Sequence, residues 1–176
     1  MINKLRFGAA GAVLAAALSM GSVAHAADTA TADATAEILS SLTLDVQAGT
    51  TLDFGQMVLG GSADTVVLDS ANSLTCGGTI VCSGTTGVPT FNITTGTPLK
   101  DVTVNLPAST TLVRQLSGGA TAQDVIELDT FTSSAATVTL DNFGAGSFTV
   151  GGTIHVDGDE TAGIFDGTFD VSVEYA

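Results

Sequence analysis

At the C-terminal end of the chain, Phe165, Phe169, Val171, Val173 and Tyr175 share odd parity, with Gly167 at the remaining odd position. Asp166, Thr168, Asp170, Ser172 and Glu174 stand between them. A period of two belongs to a strand with one dry and one wet face, and a 3.6-residue helix cannot satisfy it. The run ends one residue before the C-terminus, so the last strand is expected to belong to the core and not to tolerate truncation.

Short alternating runs recur along the chain, separated by Gly, Asn, Asp, Ser or Pro about every ten residues, which is an all-β pattern. Abundant Thr adds β-branched residues that keep a wet strand face soluble without charge. The runs predict strands at Leu42 to Val46, Thr51 to Phe54, Thr65 to Leu68, Thr90 to Thr94, Val102 to Leu106 and Thr111 to Gln115. Four more are expected at Val125 to Phe131, Ala136 to Leu140, Gly152 to Val156 and Gly167 to Tyr175. About ten short strands make a sandwich or a barrel. Ala122 to Leu128 lacks a clean helical period and reads as strand or turn, and Gly60-Gly61, Gly118-Gly119 and Gly151-Gly152 read as turns.

Ahead of this pattern, Lys4 and Arg6 precede an apolar run from Phe7 to Met20 and the small-residue sequence Ala24-His25-Ala26. This is an export signal over residues 1–26, with the mature chain expected from Ala27 and no helix expected beyond the signal. Export places the mature chain in the periplasm, at the cell surface or outside the cell. Its removal leaves Lys100 and Arg114 as the only cations against 18 acidic residues, a formal charge of −16. Phosphate neutralisation on nucleic acid and adhesion to an anionic membrane are excluded by that balance. No later stretch reaches the roughly 18 apolar residues of a membrane helix.

Cys76 and Cys82 are the only cysteines, and an even pair in an exported chain reads as one structural disulfide. Their five-residue spacer is not the Cys-x-x-Cys of a redox or zinc pair.

Residues 27–41 form an N-terminal extension ahead of a sandwich domain at 42–176. In it, Ala30, Ala32, Ala34, Ala36 and Ile38 alternate with Thr31, Asp33, Thr35 and Glu37. After the interruption Leu39-Ser40-Ser41 the same parity resumes at Leu42, Leu44 and Val46, so two strands in series with a hinge are expected.

Chemistry finds little purchase. His155 is the one histidine left after export, and His155-Val156-Asp157-Gly158-Asp159-Glu160 lacks EF-hand spacing and reads as a polar turn. Asn92-Ile93-Thr94 matches a glycosylation sequon but falls within an expected strand. With no Trp and a lone Tyr, the stacking walls of a glycosidase cleft are missing, and no glycine-rich phosphate loop opens a helix. No enzyme activity, cofactor or metal is expected.

The two ends of the mature chain, with Leu52-Asp53-Phe54-Gly55 after the first core strand, resemble exported β-proteins of the domain-of-unknown-function family 4402. They also resemble spore coat U-like proteins and chaperone-usher pilus subunits, whose last strand carries a glycine fourteenth from the end and a penultimate tyrosine. Gly163 and Tyr175 occupy those places. The resemblance implies an immunoglobulin-like, pilin-like sandwich that lacks one strand and accepts a neighbour's N-terminal extension. Ala30, Ala32, Ala34, Ala36 and Ile38 would then be donor side chains, and Phe169, Val171, Val173 and Tyr175 would line the acceptor groove. It further implies self-association or related subunits, with a periplasmic chaperone and an outer-membrane usher as partners.

Two departures stand against that pattern. Pilus subunits often tie the first core strand to the next by a disulfide, whereas Cys76 and Cys82 lie mid-chain. Four alanines and one isoleucine also bury little apolar area at about 25 cal/mol per Å2. A self-contained sandwich, closed by its own N-terminal strand and acting as a surface or adhesive binding module, is therefore the alternative to a filament or coat subunit.

Overall fold

The computed structural model describes residues 29–115 and 121–176. The expected export signal and the expected turn at Gly118-Gly119 lie outside them. Residues 37–176 form one compact unit, and residues 29–42 carry no strand.

Thirteen strands and one 3-10 turn are formed among the described residues. In chain order they are β1 (Thr43–Val46), β2 (Gln56–Val58), β3 (Asp64–Leu68), β4 (Leu74–Cys76), β5 (Val81–Ser83), β6 (Thr90–Thr94), β7 (Asp101–Asn105) and β8 (Ser109–Arg114). The 3-10 turn Ala122–Asp124 follows, then β9 (Val125–Ser133), β10 (Thr137–Thr139), β11 (Gly146–Val156), β12 (Phe165–Asp166) and β13 (Ser172–Tyr175). Every pairing is antiparallel. The large sheet runs β1-β6-β11-β9-β8-β12 with β3 and β4 branching from β11. The second sheet is β10-β7-β13, and β2 and β5 make a separate ribbon.

β11 organises the whole arrangement. Its first half pairs with β6 through Gly146–Thr149, its second half with β3 through Gly152–Val156, and β9 follows it from Val150 to His155. Gly151 and Gly152, expected in a turn, are instead buried inside this strand where the partner changes. A Cβ on Gly151 would overlap the Leu68 carbonyl oxygen, and one on Gly152 would press on Leu128. The pair is a close approach of backbone to backbone, which a strand interior also rewards with glycine.

Two apolar clusters result. Val66, Leu68, Ile126, Leu128, Ile154 and Val156 of β3, β9 and β11 bury with Phe54 and Ile80. Phe91, Ile93, Phe148 and Val150 of β6 and β11 bury against Val102, Val138 and Leu140 from the second-sheet side, so this is a β-sandwich. Phe131 and Phe169 pack against both clusters. Their rings lie 4.8 Å apart, and Phe169 reaches Phe91 at 6.4 Å.

Three expected strands differ. Thr51 to Phe54 makes only an isolated bridge, Asp53 to Gly87, because Gly55 turns the chain at φ 75° with no room for a Cβ beside the Ser83 carbonyl. Gly167 to Tyr175 forms a strand only at Ser172–Tyr175, as β13 on β7 of the second sheet, while β12 pairs with β8 of the large sheet just ahead of the expected start, so residues 167–171 cross between sheets. β11 begins at Gly146, well ahead of Gly152. β2, β4 and β5 were not expected, being three residues each.

Cys76 and Cys82 form the disulfide, with Cα atoms 6.4 Å apart, tying β4 of the large sheet to β5 of the ribbon. The Asp64 carboxylate fills the loop between them, accepting from Thr79 N at 3.0 Å, Thr79 Oγ1 at 2.7 Å and Thr65 N at 2.9 Å. The Thr79 hydrogen bonds, backbone first, hold its pKa below the usual carboxylate value.

Candidate functional site

β1 ends one side of the large sheet and β13 ends one side of the second sheet, so each keeps a free strand edge among the described residues. Both edges belong to the same cluster: Leu42 and Leu44 lean into it from one side, Val171, Val173 and Tyr175 from the other. Val46, expected to be dry like Leu42 and Leu44, is instead 53% exposed.

The edges meet at Tyr175. Its hydroxyl donates to the Ser40 carbonyl at 2.8 Å and accepts from Thr97 N at 2.7 Å. Ser40 N donates to Thr97 Oγ1 at 2.7 Å, and Thr95 Oγ1 donates to the Ser41 carbonyl at 3.1 Å. Lys100 pairs with Glu37 at 2.7 Å. The start of the domain is thus pinned to the connection between β6 and β7.

A cleft of about 240 Å3 lies beside the end of β1 and the crossing segment that carries Gly167, Thr168 and Phe169. Its walls include Val46, Leu52, Phe54, Leu112, Leu128 and Phe169, with no charged side chain among them. In Leu52-Asp53-Phe54-Gly55, Leu52 and Phe54 therefore form wall and core, while Asp53 Oδ1 accepts from Gly55 N at 2.8 Å and sets the turn.

Phe169, Val171, Val173 and Tyr175 pack together on the second cluster. Gly163 lies against Arg114, where a Cβ would strike the side-chain carbons. Arg114 is itself fixed on buried Asp124 at 2.5 Å. Thr121, through its hydroxyl and its backbone N–H, and then Arg114 lower the Asp124 pKa to about 2. Ile38 is 95% exposed. Ala30, Ala32, Ala34 and Ala36 fall in the segment without strand. Ser40 and Thr97 were missed, because a backbone group or a hydroxyl that bonds far along the chain leaves no local pattern.

A second, polar depression lies on the wet face of β8, β9 and β11, lined by Ser109, Thr111, Glu127, His155 and Asp157. His155 Nε2 lies 2.8 Å from Asp129 Oδ1, and this bond, with one from Thr130, lowers the Asp129 pKa. Among the described residues no serine hydroxyl completes a relay with His155, and no group of three ligands is placed to hold a metal. The Glu160 oxygens accept from Asp157 N at 2.5 Å and Gly158 N at 2.8 Å, closing the turn on themselves. Asn92 of the sequon sits on β6 between β1 and β11. Among the described residues no helix is long and apolar enough to cross a membrane.

Neither a curated protein nor a solved structure matches the chain. Residues 44–175 match the family described as Domain of unknown function (DUF4402), a span that begins in β1 and ends on Tyr175. On that match over most of its length, the chain belongs to the DUF4402 family.

Proposed function

We propose that this chain is an exported, non-enzymatic structural subunit of a cell-surface filament or coat, assembled by adding its N-terminal extension to a neighbour. One observation carries the reading: β1 keeps an unpaired edge among the described residues, and its Val46 lines an uncharged, largely apolar cleft. An edge of that kind is a template for another strand, and an exposed apolar wall invites cover. The alternating run from Ala30 to Ile38 has the period such a strand needs. A chaperone would cover the same cleft before assembly, and an outer-membrane usher would hand subunits on.

The test takes the compact unit beginning at Glu37 and a separate peptide spanning Thr29 to Leu39. At a hundredfold excess over Kd, a peptide that binds only the folded state stabilises by about 2.7 kcal/mol. For a domain of this size that raises Tm by about 5–10 °C. An unmoved Tm sinks strand addition and leaves the self-contained surface or adhesive module. Copies this acidic also repel, so assembly is expected to strengthen with salt.

A further inference from the structure

We propose that the Tyr175 hydroxyl is a latch that keeps the N-terminal extension out of its own groove and so reserves the extension for a second copy of this chain. The inference rests on the strand-addition reading and adds what decides its direction.

The extension has two ways to cover a free edge. Folding back on its own core requires the chain to reverse just ahead of β1, at Ser40 and Ser41, as a tight hairpin whose backbone groups serve the turn and the new ladder. Those groups are already engaged. Ser40 N is held by Thr97 Oγ1, the Ser40 carbonyl by the Tyr175 hydroxyl, and the Ser41 carbonyl by Thr95 Oγ1. Glu37, on Lys100, fixes the preceding residues to the same β6–β7 connection. Tyr175 moreover stands on β13, so its hydroxyl bridges the two edges at the end where the extension leaves.

A hairpin in cis must break three hydrogen bonds and pass Tyr175. A strand arriving from a second copy need break none of them, because the cleft is lined by Val46, Phe54 and Phe169 and by none of Ser40, Ser41, Thr95, Thr97 or Tyr175. Ile38, the one large side chain of the alternating run, stays 95% exposed under this arrangement. It is available to a neighbour and unused at home.

The experiment compares the mature chain from Ala27 with its Tyr175→Phe and Thr97→Ala variants. Phenylalanine keeps the ring that packs on the core and removes only the hydroxyl. Sedimentation velocity over a concentration series reads assembly, and hydrogen exchange of Thr29 to Leu39 reads pairing of the extension. The parent is expected to associate, with the extension protected only where oligomers form. Tyr175→Phe is expected to lose association about tenfold and to protect its extension at every concentration, and Thr97→Ala to move the same way.

Variants that associate like the parent, with unchanged concentration dependence, overturn the latch while strand addition stands. A parent protected at all concentrations as a monomer also overturns it, since cis closure then occurs with the hydroxyl in place. A parent neither associated nor protected removes strand addition itself, and the latch with it.

Discussion

Phe169 stands on the segment that crosses between the two sheets without pairing in either, so its ring holds the crossing to the core. Replacing it with alanine removes a half-buried phenyl group. Half of the 150–250 Å2 such a ring buries, at about 25 cal/mol per Å2, accounts for about 2–3 kcal/mol. Its 4.8 Å pairing with Phe131 and 6.4 Å pairing with Phe91 add part of the 0.5–1.5 kcal/mol of an aromatic pair. The expected loss is about 3 kcal/mol, within reach of the range for aromatic-to-alanine changes. At 2–4 °C per kcal/mol that lowers Tm by about 6–12 °C. Phe143→Ala is the matched control, because that ring is 87% exposed and its loss should fall within about 0.5 kcal/mol. Thermal melts of the two variants decide the matter. The double variant with Phe131→Ala should also lose less than the two single changes together, by about 1 kcal/mol. A Phe169→Ala protein that melts within 2 °C of the parent, or no lower than Phe143→Ala, refutes the assignment of this ring as the tie between clusters.

Replacing both Cys76 and Cys82 by serine opens a ring of about seven residues and should lower stability by about 2 kcal/mol, read as the shift in urea midpoint at unchanged slope. A larger loss accompanied by a changed slope would mean that the β2–β5 ribbon detaches altogether. The acid limb has a definite sign, because the folded-state pKa of Asp124 is lowered to about 2 and its contribution is full above the ordinary carboxylate value near 4. That contribution drains away as pH falls from about 4 through 2. The stability gap between the parent and Asp124→Asn should therefore narrow below pH 4 in paired thermal melts, and a gap that widens there contradicts the Arg114–Asp124–Thr121 arrangement.

Strands with bulky residues on one parity were legible from their sequence. Thr90 to Thr94 is found at the expected bounds because Phe91 and Ile93 point one way and Asn92 the other. β2, β4 and β5 were not legible, since three residues hold too little alternation to stand out and their pairing is helped by a disulfide and an Asp64 carboxylate from elsewhere. The Gly-Gly of β11 misled because glycine marks both turns and close backbone approaches, and only the partner strands distinguish them. The break between β12 and β13 was hidden for a related reason. Phe169 keeps the parity of Phe165 and Val171 while the chain changes sheets, so side-chain direction persists where the ladder does not. Of the expected groove residues only Phe169 lines the cleft, while Val171, Val173 and Tyr175 pack on the second cluster. The Tyr175 latch could not be read from the sequence, because Ser40 lies 135 residues away.

β11 has a temporal consequence as well as a structural one. Its partners come from residues 64–68, 90–94 and 125–133, and both apolar clusters include its side chains. Neither cluster can close until Gly146–Val156 is available, so most of the chain must be synthesised and kept unaggregated before its core exists. Such long-range pairing folds on the scale of milliseconds to seconds, not microseconds. Throughout that interval β3 and β6 carry unpaired edges and uncovered Val, Leu, Phe and Ile side chains, the condition in which chains find one another.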